Sequence, residues 1–473
     1  MNWSLKLKYK INKIEDFTCK IIYSKKCIIF LFLFIAINIY NHLLISKKIE
    51  LNKNYLIIQK NLNLIFNNII TTKIRIGIYI YNLKNGGTQR ITSLLLNYFY
   101  KFNLFDLYLF SQQKKEENEY FIPKSIKRSL IKECKMKILI KEIKKNKINI
   151  LIYQFPNYNG INILNKLKNV KTIFYQHYSF FYWIYYNYSK FKSIYKAYKN
   201  SQYVISIIPI ENNYIFKKWG INSILMNNFI TYEYNKVIPS DLSKKIILMI
   251  GRGRDKLKRY SLGIKAMEYI KMHIPECKME IVSNISQIDY LKTMSKNLNL
   301  EYYINFIEYS SNPDVYFKNI SLHIFPTISE SFGLVLCEAK IYGIPTILVG
   351  LDYVSISKGG TINIYDDTVE SISIQAIKLL NNTKSRKKLG NESRKSMKIF
   401  NNNNLFLKWI KVILSIYNGD IYYQKLRNED KIFPKKKIMK TIRNQLNLLK
   451  KRKNINFTIE QIENFTYLDF YDY

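Results

Sequence analysis

The chain predicts an α/β fold of two doubly wound halves facing a cleft, preceded by a transmembrane helix. Three observations carry that reading. A short apolar run followed by glycine and then a helical period occurs twice, opening at Lys73 and again at Lys244. After each opening, short β-rich runs alternate with helical stretches, the pattern of parallel α/β layers. One long apolar run, Cys27 to Ile45, stands ahead of both. With 473 residues, 48% of them hydrophobic, the chain is long enough to bury the cores of two or three domains.

The first element is a basic segment, residues 1–26, followed by "CIIFLFLFIAINIYNHLLI" at 27–45. Its 19 residues match the roughly 20 that cross a bilayer as a helix. A cleaved signal peptide is the competing reading, but the residues after Ala36 are large and offer no small-residue cleavage site. The run therefore reads as a single-pass signal anchor. Lys6, Lys8, Lys10, Lys13, Lys20, Lys25 and Lys26 precede it, and this excess keeps the amino terminus cytoplasmic. Residues 46–72 mix apolar and polar positions at helical spacing and read as a stem.

The first half spans 73–228. "KIRIGIYIYNL" is a strand, Gly86 and Gly87 make the turn, and "TQRITSLLLNYFYKF" is a helix. "INILIYQF", "TIFYQHYSFF" and "YVISIIP" supply later strands, the last leading into "ENNYIFKKWG". A polar linker, 229–243, contains Pro239. The second half, 244–419, repeats the opening in "KKIILMIGRGRDKLKRYSLGIKAMEYI" and continues through "KMEIVSN", "YYINFIE", "SLHIFPT" and "PTILVG". Two such halves place ligands at the carboxyl ends of their strands, beside the glycine turns. In the tail, 420–473, Ile438, Met439, Ile442, Leu446 and Leu449 share one helical face under a basic one. Such a helix contacts anionic lipid or packs on the domain.

The formal charge of +41 invites a nucleic-acid partner. That class is set aside, because the lysines are spread along the chain and no zinc-finger, RRM or helix-turn-helix pattern is present. Cys19, Cys27, Cys134, Cys277 and Cys337 are far apart and form no metal or disulfide framework. No D-x-D dyad or other carboxylate pair is placed to hold a metal, so neither metal nor cofactor is expected.

In chain order the motifs are "NGGTQR", "YQHYSF", "KKWGINSILMNNFI", "GRGRDKLKR" and "PTISESFGLVLCEAKIYGIPTI". Together, over roughly Ile74 to Gly419, they resemble the retaining glycosyltransferases of the two-Rossmann-domain (GT-B) type that carry the E-x7-E signature. A lone pair of glutamates at this spacing says little. The string P-x-x-x-E-x-F-G-L-x-x-x-E-A-x-x-x-G-x-P, with a G-R-x5-K element upstream, is specific.

The resemblance implies a nucleotide-sugar donor and a glycan or lipid-linked acceptor. It also implies closing helices that return to the first domain. Arg252 and Lys258 would grip the diphosphate, Arg as a planar fork and Lys as a point charge. Lys256 and Arg259 flank Lys258 and leave its register open. Glu338 would accept hydrogen bonds from ribose hydroxyls, and Glu330 would lie by the transferred sugar. Phe332, Gly333 and Leu334 would turn backbone amides toward phosphate and sugar at a helix start, with Glu338 about two turns along that helix. Gly86, Gly87 and Gly251 would let the backbone approach the donor, while Gln89, where the family often has an acidic residue, is read as dispensable. His177 would contact the donor sugar or sit satisfied in the core, and Asn228 is read as structural. A related nucleotide-sugar enzyme of epimerase type and a catalytically inactive sugar- or lipid-binding homologue are the alternatives.

Overall fold

The computed structural model describes residues 73–419 except 85, 133–134, 155–166, 168, 183–193, 196, 252–254 and 310–312, together with 444, 447, 448 and 451. The span expected at 27–45, the stem at 46–72 and nearly all of the tail lie outside the described residues. Among those described, no helix is long and apolar enough to cross a membrane.

Two sheets organise the described chain. The first contains β1 (Ile74–Ile80), β2 (Phe105–Ser111), β3 (Lys127–Leu130), β4 (Ile150–Tyr153), β5 (Lys171–Tyr175), β6 (Tyr203–Ser206) and β7 (Ser223–Leu225). The second contains β8 (Ile246–Ile250), β9 (Lys278–Ser283), β10 (Ile304–Glu308), β11 (Leu322–Phe325), β12 (Thr346–Val349) and β13 (Thr361–Ile364). Their orders are β3-β2-β1-β4-β5-β6-β7 and β10-β9-β8-β11-β12-β13. The pairs β1–β4, β4–β5, β8–β9, β8–β11 and β11–β12 are all parallel. Strands covered on both faces need continuous apolar runs, which is why "ILIY" and "LHIF" are buried at every position. The strand order reverses direction beside β1 in one sheet and beside β8 in the other. These are the points where a crevice opens in doubly wound folds.

Both expected halves are thus present as parallel α/β sheets. The sequence reading passed over β2, β3, β7 and β13. The half-exposed "KRSL" and "TINI" are edge strands, buried on no complete face, so neither shows a clear period. Among the described residues, Lys73, Ile74 and Phe99–Asp106 belong to a first unit, within which Lys73 Nζ donates to Asn103 Oδ1 at 2.8 Å. The other described residues form a second unit, which holds every residue of the site below.

Within that second unit one continuous apolar core joins Tyr153, Phe174 and Ile207 to Phe332, Leu336 and Tyr353. The last helix, Asn402–Asn418, starts at Asn401, whose Oδ1 accepts from the amides of Asn403 and Asn404. It returns to the first half. Asn402 exchanges two hydrogen bonds with the backbone of Ile230, both 2.8 Å, and Trp409 meets Tyr175 edge-on at 5.4 Å.

Candidate active site

A cleft of about 560 Å³ lies where the carboxyl ends of the strands of the two sheets face each other. It is within the size range of small-molecule sites. From the first half it is lined by Gly86 to Arg90 and by His177 to Ser179, and from the second by Gly251, Lys258 and Ser329 to Val335. Of the residues singled out in the sequence, Glu338 sits just behind this lining and Arg252 lies outside the described residues.

On the first side, Gly87 opens α1 (Gly87–Phe102), and the Gly86 carbonyl accepts from the Arg90 amide at 2.9 Å. A Cβ on Gly86 would fall 1.8 Å from Gln89 Oε1. The flexible end of the Gln89 side chain therefore lies over this turn. A Cβ on Gly87 would stand 3.7 Å from Leu334 Cδ1, so the two loops face each other across the cleft.

On the second side, Lys258 closes the short helix α2 (Asp255–Lys258), which follows β8. Its Nζ lies 2.5 Å from Glu330 Oε1. The Leu257 carbonyl accepts from the Ile328 amide and the Thr327 hydroxyl, which seats Lys258 against the "PTISE" loop. Arg259 pairs with Asp367 instead, so of these two it is Lys258 that enters the cleft. Glu330 is held from behind: its amide donates to the Tyr353 hydroxyl at 3.0 Å.

One expectation about the glutamates is corrected. They do not lie two turns apart on one helix. Gly333 adopts φ +79° and caps α3 (Leu334–Ile341), leaving Glu330 in the loop and Glu338 only about one turn inside the helix. A left-handed residue cannot continue a right-handed helix, and glycine takes that conformation without a Cβ clash. Phe332 turns inward, 1% exposed, and meets Phe400 edge-on at 5.8 Å.

Glu338 is 1% exposed and accepts from Arg90 Nη1 at 2.7 Å and from the Thr231 hydroxyl at 3.1 Å. Burial pulls the Arg90 pKa down, but the Glu338 carboxylate together with Tyr309, Tyr120 and Tyr232 more than offsets it, so the net shift is upward and Arg90 stays charged. This pair joins the first helix of one half to the motif helix of the other. Nothing local in "GGTQR" signals it.

His177 follows β5, lies against Tyr175 with ring centroids 4.2 Å apart, and has a buried Nε2 without a hydrogen-bond partner among the described residues. Tyr175 in turn donates to Asn228 Oδ1 at 2.7 Å, and Asn228 also borders the cleft. Burial pushes the His177 pKa down to about 3, and burial with nearby Lys258 does the same to His323. Both folded values lie below the ordinary 6.5. Between about pH 6.5 and 3 the unfolded chain therefore takes up protons that the folded chain refuses. The histidine contribution should be full above pH 6.5 and fall as the pH drops, by up to about 1.4 kcal/mol per pH unit for each histidine. The Glu211 carboxyl, pushed up to about 8 by burial, works in the opposite sense between about pH 8 and 4.5. Urea unfolding of wild type and His323→Asn between pH 7 and 4 checks this: the variant should lose less stability on acidification.

The sequence reading missed Glu211, fully buried behind the 176–180 segment, and the cross-cleft hydroxyl pair Ser179–Ser329, 2.6 Å apart. Among the described residues no group of three or more His, Cys, Asp or Glu side chains could hold a metal ion.

The family described as glycosyl transferases group 1 matches residues 232–396, which contain Lys258, Glu330 and Glu338. That span is a group 1 domain. An uncharacterized glycosyltransferase of Haemophilus influenzae is 23% identical over 157 residues, 32% of this chain and 43% of that protein. The chain spans less than half the length of the curated relatives it matches. Among solved structures, a sucrose-phosphate synthase from Thermosynechococcus elongatus superposes with a TM-score of 0.61 at 14% identity, covering 74% of this chain and 100% of the other. Anabaena HepE in complex with UDP and glucose gives 0.59 at 12% identity, covering 72% and 100%. At these identities the likeness is one of fold, and it places the group 1 domain as the second of two facing α/β sheets.

Proposed function

We propose that this protein is a retaining glycosyltransferase that moves a sugar from a nucleotide-sugar to a hydroxyl of a glycan or lipid-linked acceptor, without a metal. One observation carries the reading. Lys258 and Glu330 meet in a cleft onto which two helices, α1 and α3, open their amino termini. Helix amino termini and a lysine suit an anion, here the donor diphosphate, whose charge grows as the sugar leaves. A carboxylate beside them suits the sugar hydroxyls, and His177 stands in the wall of the same cleft.

In this reading the bond from the anomeric carbon to the leaving phosphate oxygen breaks while the acceptor oxygen attacks the same face. The acceptor proton passes to the departing phosphate. Lys258 holds the phosphate, Glu330 orients both Lys258 and the sugar, and Arg252 adds a second cation. Residues 27–45 anchor the chain in a membrane, with the amino terminus cytoplasmic.

The test is slow nucleotide release from a panel of UDP-, GDP- and ADP-sugars. UDP-glucose comes first because a protein of the same fold was captured with UDP and glucose. Release from one donor, with the anomeric configuration kept in the product by NMR, is expected. An inverted product would sink the retaining mechanism, and no release from any donor would sink the reading.

A further inference from the structure

Glu211 sits in the first turn of the helix Pro209–Trp219 and is 1% exposed. It does not line the cleft. Among the described residues no lysine or arginine is paired with it. Burying a carboxyl in this way is costly unless hydrogen bonds offset the lost hydration. Two hydrogen bonds offset part of that cost, though burial still pushes the carboxyl pKa up to about 8, and both come from one segment. The Phe180 amide donates to Oε1 at 2.7 Å, and Gln176 Nε2 donates to Oε2 at 2.6 Å. Gln176 Nε2 also donates to the Tyr178 carbonyl at 2.9 Å, so the carboxyl clasps the segment at both ends.

That clasp reaches the cleft. Between its two ends stand His177, Tyr178 and Ser179, all in the cleft wall. Ser179 Oγ is 2.6 Å from Ser329 Oγ, and Ser329 stands next to Glu330 and 3.4 Å from the Tyr353 hydroxyl that receives the Glu330 amide. Phe181, one residue past the clasp, packs on the Tyr353 ring at 4.8 Å.

We infer that Glu211 is a positioning residue of the sugar-transfer site: it fixes the 176–180 segment so that His177 meets the donor sugar and Ser179 sets the Ser329–Glu330 loop. The inference rests on the sugar-transfer reading for its functional half and on geometry alone for its structural half. It assigns Glu211 no contact with substrate. Glutamine at 211 keeps an acceptor oxygen for the Phe180 amide, and if Gln176 turns its amide to accept from the new Nε2 it gives up its bond to the Tyr178 carbonyl. Alanine holds neither end.

The test uses the full-length protein with Glu211→Ala and Glu211→Gln. Hydrogen exchange followed by mass spectrometry should show peptides covering 176–182 exchanging about tenfold faster in the alanine variant, with β8, β9 and β11 unchanged. Turnover of the donor that wild type accepts should fall about 10- to 100-fold in kcat, with KM for the donor within about twofold, as expected for misplacement rather than lost binding. Glutamine should restore part of both. The inference is overturned if exchange at 176–182 does not change. It is equally overturned if exchange rises and kcat holds, or if glutamine rescues nothing. Failure of the wild type to release nucleotide from any donor would defeat the sugar-transfer reading and, with it, the functional half. The exchange data would still decide the structural half.

Discussion

Lys258→Ala should lower the rate of nucleotide release about 100- to 1000-fold while leaving the fold nearly as stable as wild type. The size follows from what the side chain would do. It is a fixed cation at the place where phosphate charge develops, and removing one such electrostatic partner typically costs that much in rate. The small effect on stability follows from where it sits. Lys258 and Glu330 are 13% and 18% exposed, so the carboxylate left behind can take water from the cleft. Lys258→Arg should recover only part of the rate, because a planar guanidinium does not reproduce the point charge that Glu330 meets at 2.5 Å. Single-turnover kinetics on both variants, with urea midpoints alongside, make the comparison. A rate within tenfold of wild type would remove Lys258 from the machinery.

Glu338→Ala should act in the opposite sense, on stability first. The carboxylate is 1% exposed and its partner Arg90 is 12% exposed, so removing it leaves a guanidinium in a place with little water. Breaking a buried pair from one side costs about 3–5 kcal/mol. Arg90 also borders the cleft and can turn partly toward it, which puts the expected loss near the lower end of that range. The double variant Arg90→Met with Glu338→Gln should recover much of the loss, since it removes the stranded charge. Urea titration of the three variants measures this directly. UDP binding by calorimetry adds the functional side: if Glu338 also receives the ribose, affinity should drop even in the restabilised double variant. Unchanged affinity would assign the residue to the joint between the halves alone.

Much of the fold was legible in the sequence. Buried parallel strands need unbroken apolar runs, and a glycine turn before a helical period marks their carboxyl ends. Both requirements are local, so "IRIGIYI" with Gly86-Gly87 and "IILMI" with Gly251 could be read without a structure. The ordered string around Ser329–Pro345 likewise marked a loop that lines the cleft. Edge strands such as "KRSL" escaped because a strand half-open to water carries no strict period.

What the tertiary structure decided were the partners. Arg90 and Glu338 are 248 residues apart, and Ser179 and Ser329 are 150 apart. No local pattern joins them; only the packing of the two halves does. The interval between Glu330 and Glu338 suggested one helical face, yet the left-handed Gly333 separates them into a loop carboxylate in the cleft and a helix carboxylate sealed behind it. The spacing was written in the sequence. The environment of each carboxylate, and hence what each can do, was set by burial and by the charge that the fold brings beside it.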